Sequence, residues 1–246
     1  MKHRSIYGCL ILIASALGLL VAGQAEATEP IVIGVPTSLG FLEGKESHKV
    51  VQMAVSEINA KGGVTVGGQK RLLEVSSMDI RDAAPGVPVP EALLGIEKNI
   101  LEKKPAGIVV GPFRSEALVA GMDLISKYKT PLIGTIAMTP ASEAKVKEDA
   151  EKYKYVFRNC LNAVYLVKYL AGTMEAINRE FGFTKVYIMH KDVAWARATA
   201  DGVKKSYFEK AGWEVLEQEA YPTGSSDFSS ALMKAGSKGA QVIMPV

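Results

Sequence analysis

Ser115 stands where a short apolar run, Ile108-Val109-Val110, meets a helical pattern carried by Leu118, Met122 and Ile125. A strand that feeds a helix start leaves free N–H groups at the carboxyl edge of a sheet, a setting suited to a carboxylate or a phosphate. The other reading of Ser115 is a plain N-cap of its helix. A second polar spot, Ala137-Met138-Thr139-Pro140-Ala141-Ser142, follows the apolar stretch Thr130-Pro-Leu-Ile-Gly-Thr135. If the two strands are neighbours, a helix start, a free carbonyl and a hydroxyl converge on one place. Thr139 serves equally well as the cap of a short following helix.

Other chemistries lack their residues. His3, His48 and His190 are scattered, and no Cys/His group has metal-site spacing. There is no G-x-S-x-G elbow and no G-x-G-x-x-G turn. Gly40-Phe-Leu-Glu-Gly44-Lys45-Glu46 is one residue short of a phosphate loop and has no Ser or Thr after Lys45. His190, Lys191 and Asp192 are adjacent in sequence, which does not make a triad. The sequence therefore points to no enzyme, no cofactor and no metal. Net charge is +3 and no basic run is interleaved with aromatics, so nucleic acid is not a partner.

The 246 residues are 48% hydrophobic and 22% charged, a globular mixture long enough for one large domain or two lobes. Lys2, His3 and Arg4 precede an apolar run from Cys9 to Ala22, and Ala25-Glu26-Ala27 fits a small-x-small cleavage site. Residues 1–27 thus read as a signal peptide, with the mature start at Thr28 and export to a bacterial periplasm. An uncleaved membrane anchor is the alternative. Cys160 is then the lone cysteine, read as a small buried hydrophobe.

Strand and helix patterns alternate through the rest. Strands are expected at Ile31–Val35, Arg71–Met78, Ile108–Val110, Thr130–Thr135, Tyr155–Asn159, Lys185–Met189, Trp213–Leu216 and Gln241–Met244. Pro36 to Gly44 is expected as a loop, followed by a helix that stops at Lys61-Gly62-Gly63. Leu166, Leu170, Met174, Ile177 and Phe181 mark a long helix, and His190 to Arg197 a loop holding Trp195. Strand–helix–strand repetition is the signature of an α/β fold with parallel sheets. The chain reads as the front portion of a longer protein.

Several stretches together resemble one family. They are Ile31-Val-Ile-Gly-Val35, Ala54-Val-Ser-Glu-Ile-Asn-Ala-Lys-Gly-Gly63, Gly107-Ile-Val-Val-Gly-Pro-Phe-Arg-Ser115, Thr130-Pro-Leu-Ile-Gly134, Tyr155-Val-Phe-Arg158 and Tyr221-Pro-Thr-Gly-Ser-Ser-Asp-Phe-Ser229. They resemble the substrate-binding proteins of branched-chain amino acid ABC transporters, the leucine-binding branch of the type I periplasmic binding proteins. The resemblance implies a first α/β lobe over 28–154, then a hinge strand and an incomplete second lobe over 155–246. It implies a monomer that closes on a small ligand, an amino acid or related carboxylate, and delivers it to a membrane permease. Ligand-sensing ectodomains and amide or aromatic-acid binders share the fold and are the alternatives.

By the same resemblance Ser115 holds the ligand's carboxylate, Ala137 offers its carbonyl to the ammonium, and Thr139 contributes hydroxyl and backbone. Trp195 falls where a tyrosine often closes over the ligand. Glu43 stands where an apolar residue is common, and Arg114 precedes Ser115. These two either select a polar or charged group on the ligand, or pair with each other or face water.

Overall fold

The computed structural model describes residues 29–246. The signal-peptide reading of residues 1–27, the Thr28 start and Cys9 lie outside the described residues. In chain order the elements are β1 (Ile31–Thr37), α1 (Leu42–Ala60), β2 (Val64–Val66), β3 (Gln69–Arg71), β4 (Leu73–Asp79), α2 (Val89–Lys103), β5 (Gly107–Val110), α3 (Ser115–Tyr128) and β6 (Leu132–Gly134). There follow α4 (Ala141–Glu148), β7 (Val156–Arg158), α5 (Ala163–Phe181), β8 (Lys185–Lys191), α6 (Ala194–Val203), a π-helical turn at Lys204–Phe208, β9 (Glu214–Tyr221), α7 (Ser229–Ser237) and β10 (Val242–Pro245). None of the described helices is long and apolar enough to cross a membrane.

The first sheet has the order β4-β1-β5-β6-β7, and every pair in it is parallel. Its core is built by the short apolar strands and the inner faces of α2 and α3, through Ile96, Ile108, Leu118, Met122, Ile125 and Leu132. The buried Asn99 of α2 donates to the carbonyl and hydroxyl of Ser76 in β4, both at 3.2 Å, which fixes the helix against the strand. Strand order reverses between β1 and β5. At such a switch point the loops beyond the carboxyl ends diverge and leave a crevice.

The second sheet, β10-β8-β9, is also parallel. Val186, Ile188, Val203 and Met244 are fully buried there with Phe208 and Trp213, whose rings lie 5.2 Å apart. The mixed α/β architecture with parallel sheets is the one the sequence pattern implies.

Several boundaries differ from the sequence reading. The stretch 71–78 is not one strand: β3 ends at Arg71 and closes a hairpin with β2, and β4 begins at Leu73. The strand over 156–158 pairs with β6 and so completes the first sheet. Trp213 precedes β9 and plugs the second core. The expected loop from His190 to Arg197 shrinks to Asp192 and Val193, because β8 runs through Lys191 and α6 starts at Ala194.

Helix α1 begins at Leu42, so Gly44 lies in its first turn and not in a loop. The reason is contact. A Cβ at Gly44 would stand 2.1 Å from the Ser38 carbonyl oxygen, so only glycine lets the helix start this close to the end of β1. Helix propensity alone favours alanine over glycine by about 1 kcal/mol, but backbone overlap outweighs it. We expect Gly44→Ala to lower stability by about 1–3 kcal/mol in urea unfolding; an unchanged or raised midpoint would mean that α1 is free to lift.

Candidate functional site

The loops that leave β1 and β5 at the switch point each carry a phenylalanine. Phe41 and Phe113 touch, with ring centroids 5.8 Å apart. They are held there by one buried carboxylate. Asp82, fully buried on the loop after β4, accepts the Ser38 hydroxyl at 2.6 Å and the Arg114 backbone N–H at 2.7 Å. The Ser38 hydroxyl in turn accepts the Ala83 N–H at 2.7 Å. Three loops from three adjacent strands are thereby joined. Burial raises the Asp82 pKa, against the Ser38 hydroxyl, the backbone N–H groups of Arg114 and Phe113 and the Arg114 charge, all of which favour the carboxylate.

This arrangement corrects the reading of Ser115 as an N-cap. Arg114 occupies the cap position with extended backbone and no side-chain cap, and Ser115 is the first helical residue. The acceptor comes from Asp82 instead, so the Ser115 hydroxyl has no capping duty. It is buried and has no hydrogen-bond partner among the described residues. The turn before it is strained. Gly111 N–H closes on Val109 O at 3.1 Å around Val110, whose φ is 75°, a left-handed conformation that a β-branched residue rarely adopts. Strain of this kind is held where the surroundings over-determine the loop.

Beside these loops lies a cavity of about 500 Å³, lined by α1, by loops of the first sheet and by α6. Glu43, Glu46 and Ser47 come from the first turns of α1, and Phe113 from the β5–α3 loop. Met138 follows β6, Cys160 and Leu161 follow β7, and Trp195 comes from the start of α6. The wall is mainly apolar and aromatic, with two carboxylates at one end. Glu46 is ion-paired to Lys49 at 2.8 Å on the solvent side.

The predicted residues thus divide. Glu43 and Trp195 line the cavity together, and Trp195 does so from the first turn of a helix, not from a loop. Arg114, Ser115, Ala137 and Thr139 are not among its lining residues. Ser115 and Ala137 are buried, 4% exposed each; Ala137 is next in sequence to the lining residues Ile136 and Met138, and Ser115 is two positions from Phe113. The Ala137 carbonyl accepts the Cys160 thiol at 3.4 Å. Thr139 Oγ1 accepts the Ala141 N–H at 3.2 Å from one position before Pro140, which holds the cap position of α4. Arg114 does not pair with Glu43; its guanidinium donates to the Val87 carbonyl at 2.9 Å. Cys160 is half-buried on the cavity wall, not a core residue.

Sequence reasoning passed over Phe41, Phe113, Asp82 and Lys191. Phe113 lies inside the Gly-Pro-Phe-Arg-Ser turn, and its place beside the switch point was a usable signal. Lys191 was weighed only as part of a sequence-adjacent trio. In the structure its ammonium sits 5.1 Å from the Phe41 ring centroid and 5.5 Å from that of Phe113, bridging the two sheets. A second bridge runs from the Ala194 N–H to the Glu116 carboxylate at 3.2 Å.

Asp82→Ala leaves the Arg114 N–H and the Ser38 hydroxyl without their acceptor, and relief of the buried charge offsets part of that loss. We expect a net cost of about 1–3 kcal/mol in chemical unfolding at neutral pH. The sign with pH is also fixed. A carboxyl whose pKa is raised by folding stabilises the fold below its unfolded value, and that contribution is lost as the pH rises through the raised value. The Asp82→Ala protein should lack this step; a pH profile parallel to wild type would show that Asp82 is ionised alike in both states.

Comparison with known proteins agrees with this architecture. The chain is 24% identical over 239 residues to Leu/Ile/Val-binding protein homolog 7 of Brucella suis, covering 95% of this chain and 56% of that protein. The chain therefore spans about half the length of the curated relatives it matches. Among solved structures it is similar to a solute binding protein of an ABC transporter from R. palustris in complex with benzoate. The TM-score is 0.68 at 18% identity, over 88% of this chain and 55% of that one. It is likewise similar to an ABC transporter substrate-binding protein from Desulfitobacterium hafniense in complex with Leu. Here the TM-score is 0.59 at 16% identity, over 88% and 58% of the two chains. The sequence pattern of the family described as periplasmic binding protein matches residues 32–246, and the chain belongs to that family.

Proposed function

We propose that the chain is the ligand-capturing part of a periplasmic solute receptor that takes a small amino acid or a related small acid between two lobes and presents it to an ABC permease. The observation that carries this reading is the 500 Å³ cavity lined by α1, by loops of the first sheet and by Trp195 of α6, with a buried Ser115 hydroxyl, unpartnered among the described residues, two positions along from the lining residue Phe113. A cavity of this size and mixed lining suits a small organic solute, and walls from two lobes couple binding to closure. The proposed division is a signal peptide over 1–27, a first lobe over 28–154, and a hinge strand and second lobe over 155–246, the hinge strand being the one that completes the first sheet. The protein binds and releases its ligand without turning it over.

In this reading Ser115 and the α3 N-terminus receive a carboxylate once the cavity opens towards them. The Ala137 carbonyl holds only a thiol, a weak donor that an ammonium readily replaces. Thr139 keeps its hydroxyl on α4 and offers the solute its backbone. Trp195 covers the apolar part of the solute. Glu43 faces its cationic end and disfavours a second carboxylate. Aromatic acids are a second reading, favoured by the Phe113 and Trp195 rings on the wall and by the benzoate held in the R. palustris protein.

Thermal unfolding with leucine, leucinamide and benzoate tests the proposal. A true ligand at about 100 times its Kd adds roughly 2.7 kcal/mol of stability. Trp195→Ala should weaken that ligand by about tenfold or more, in line with the loss of a buried aromatic contact. Glu43→Gln should weaken leucine relative to benzoate. Silence from the whole panel, with no change in small-angle scattering, would overturn the reading.

A further inference from the structure

Phe113 has a second face. Behind it lies another cavity, of about 270 Å³, whose remaining walls share nothing with the first. The loop over 83–86 forms one side, and Asp192, Val193, Pro222 and Thr223 of the second lobe form the other. Two cations line it, Arg114 from the first lobe and Lys191 from the second. Among the described residues neither has a carboxylate oxygen within the 4.0 Å of an ion pair. Arg114 spends one N–H on the Val87 carbonyl, and its buried Nε–H has no acceptor. Lys191 rests on the faces of Phe41 and Phe113. The one carboxylate on the lining, Asp192, is paired with Arg197. Thr223 adds a hydroxyl with no partner among the described residues.

We propose that this smaller cavity is an anion site, taking a small oxyanion, carboxylate or phosphate, between Arg114, Lys191 and Thr223. Two cations on the wall of one partly enclosed space, one of them offset only in part by the buried Asp82 carboxylate, repel each other, and an oxyanion removes that repulsion and adds charge-assisted hydrogen bonds. Guanidinium and ammonium are both phosphate and carboxylate binders. The site draws one cation from each lobe, so an anion seated there holds the lobes together. Lys191 also stacks on Phe113, the wall common to both cavities, so filling the small cavity fixes one side of the large one.

The test uses inorganic phosphate and acetate as probes, followed by thermal shift and calorimetry at an ionic strength held constant with sodium chloride. Either probe should raise the unfolding temperature in the millimolar range where chloride does not. Lys191→Met should weaken the probe by about tenfold, the scale of one charge-assisted contact. Lys191→Arg should restore most of the affinity. Lys98→Met, at an exposed lysine of α2, should change nothing, and Trp195→Ala should leave the probe bound, which separates this site from the solute cavity. Competition between benzoate and phosphate would assign the site to a solute's own carboxylate, and independent binding to a free anion. An equal response to chloride, or an unchanged Kd in Lys191→Met, would overturn the proposal.

Discussion

The buried carboxylate of Asp82 is the constraint on which the site depends. Parallel strands end in loops that diverge at a switch point, and nothing in strand pairing fixes those loops to each other. One carboxylate does so here, by accepting from the loop after β1 and from the loop after β5 while standing on the loop after β4. Removing an ionised group from water is costly. The raised pKa is the trace of that cost, and the converging hydrogen bonds are what offset it. The two phenylalanines, the strained turn at Val110 and the entry to α3 are all placed relative to this anchor.

The same anchor explains why the start of α3 differs from a simple strand-to-helix turn. A helix N-terminus leaves donors unmet. Asp82 meets one of them from outside the helix, and Glu116 in the first turn adds a second negative charge nearby. The Ser115 hydroxyl is left over. A polar group buried without a partner is unusual in a folded protein and needs a reason. Use by a small molecule is the reason that the proposed function supplies.

Much of the fold was legible in the sequence because its signals are local. Short β-branched runs such as Ile108–Val110 marked the strands of the first sheet, and the Lys61-Gly62-Gly63 stop marked the end of α1 to within a residue. Errors came where distant contacts decide. Gly44 looks like a loop residue until the Ser38 carbonyl is seen pressed against it. Arg114 and Glu43 look like a pair near one mouth, but the Val87 carbonyl draws the arginine to the other side of Phe113. Asp82 gave no signal at all, since a lone aspartate in a proline-rich loop is ordinary until three loops are seen to meet on it.

The contact of Gly44 with Ser38 has a consequence for how the binding surface can vary. Because the first turn of α1 is clamped to the backbone of Ser38 just after β1, the positions at 43, 46 and 47 present side chains from a platform that does not shift when those side chains change. The platform and the chemistry it displays are separable. Exchanging the three residues as a cassette would alter what the cavity recognises while the strand, the switch point and the aromatic wall stay where they are.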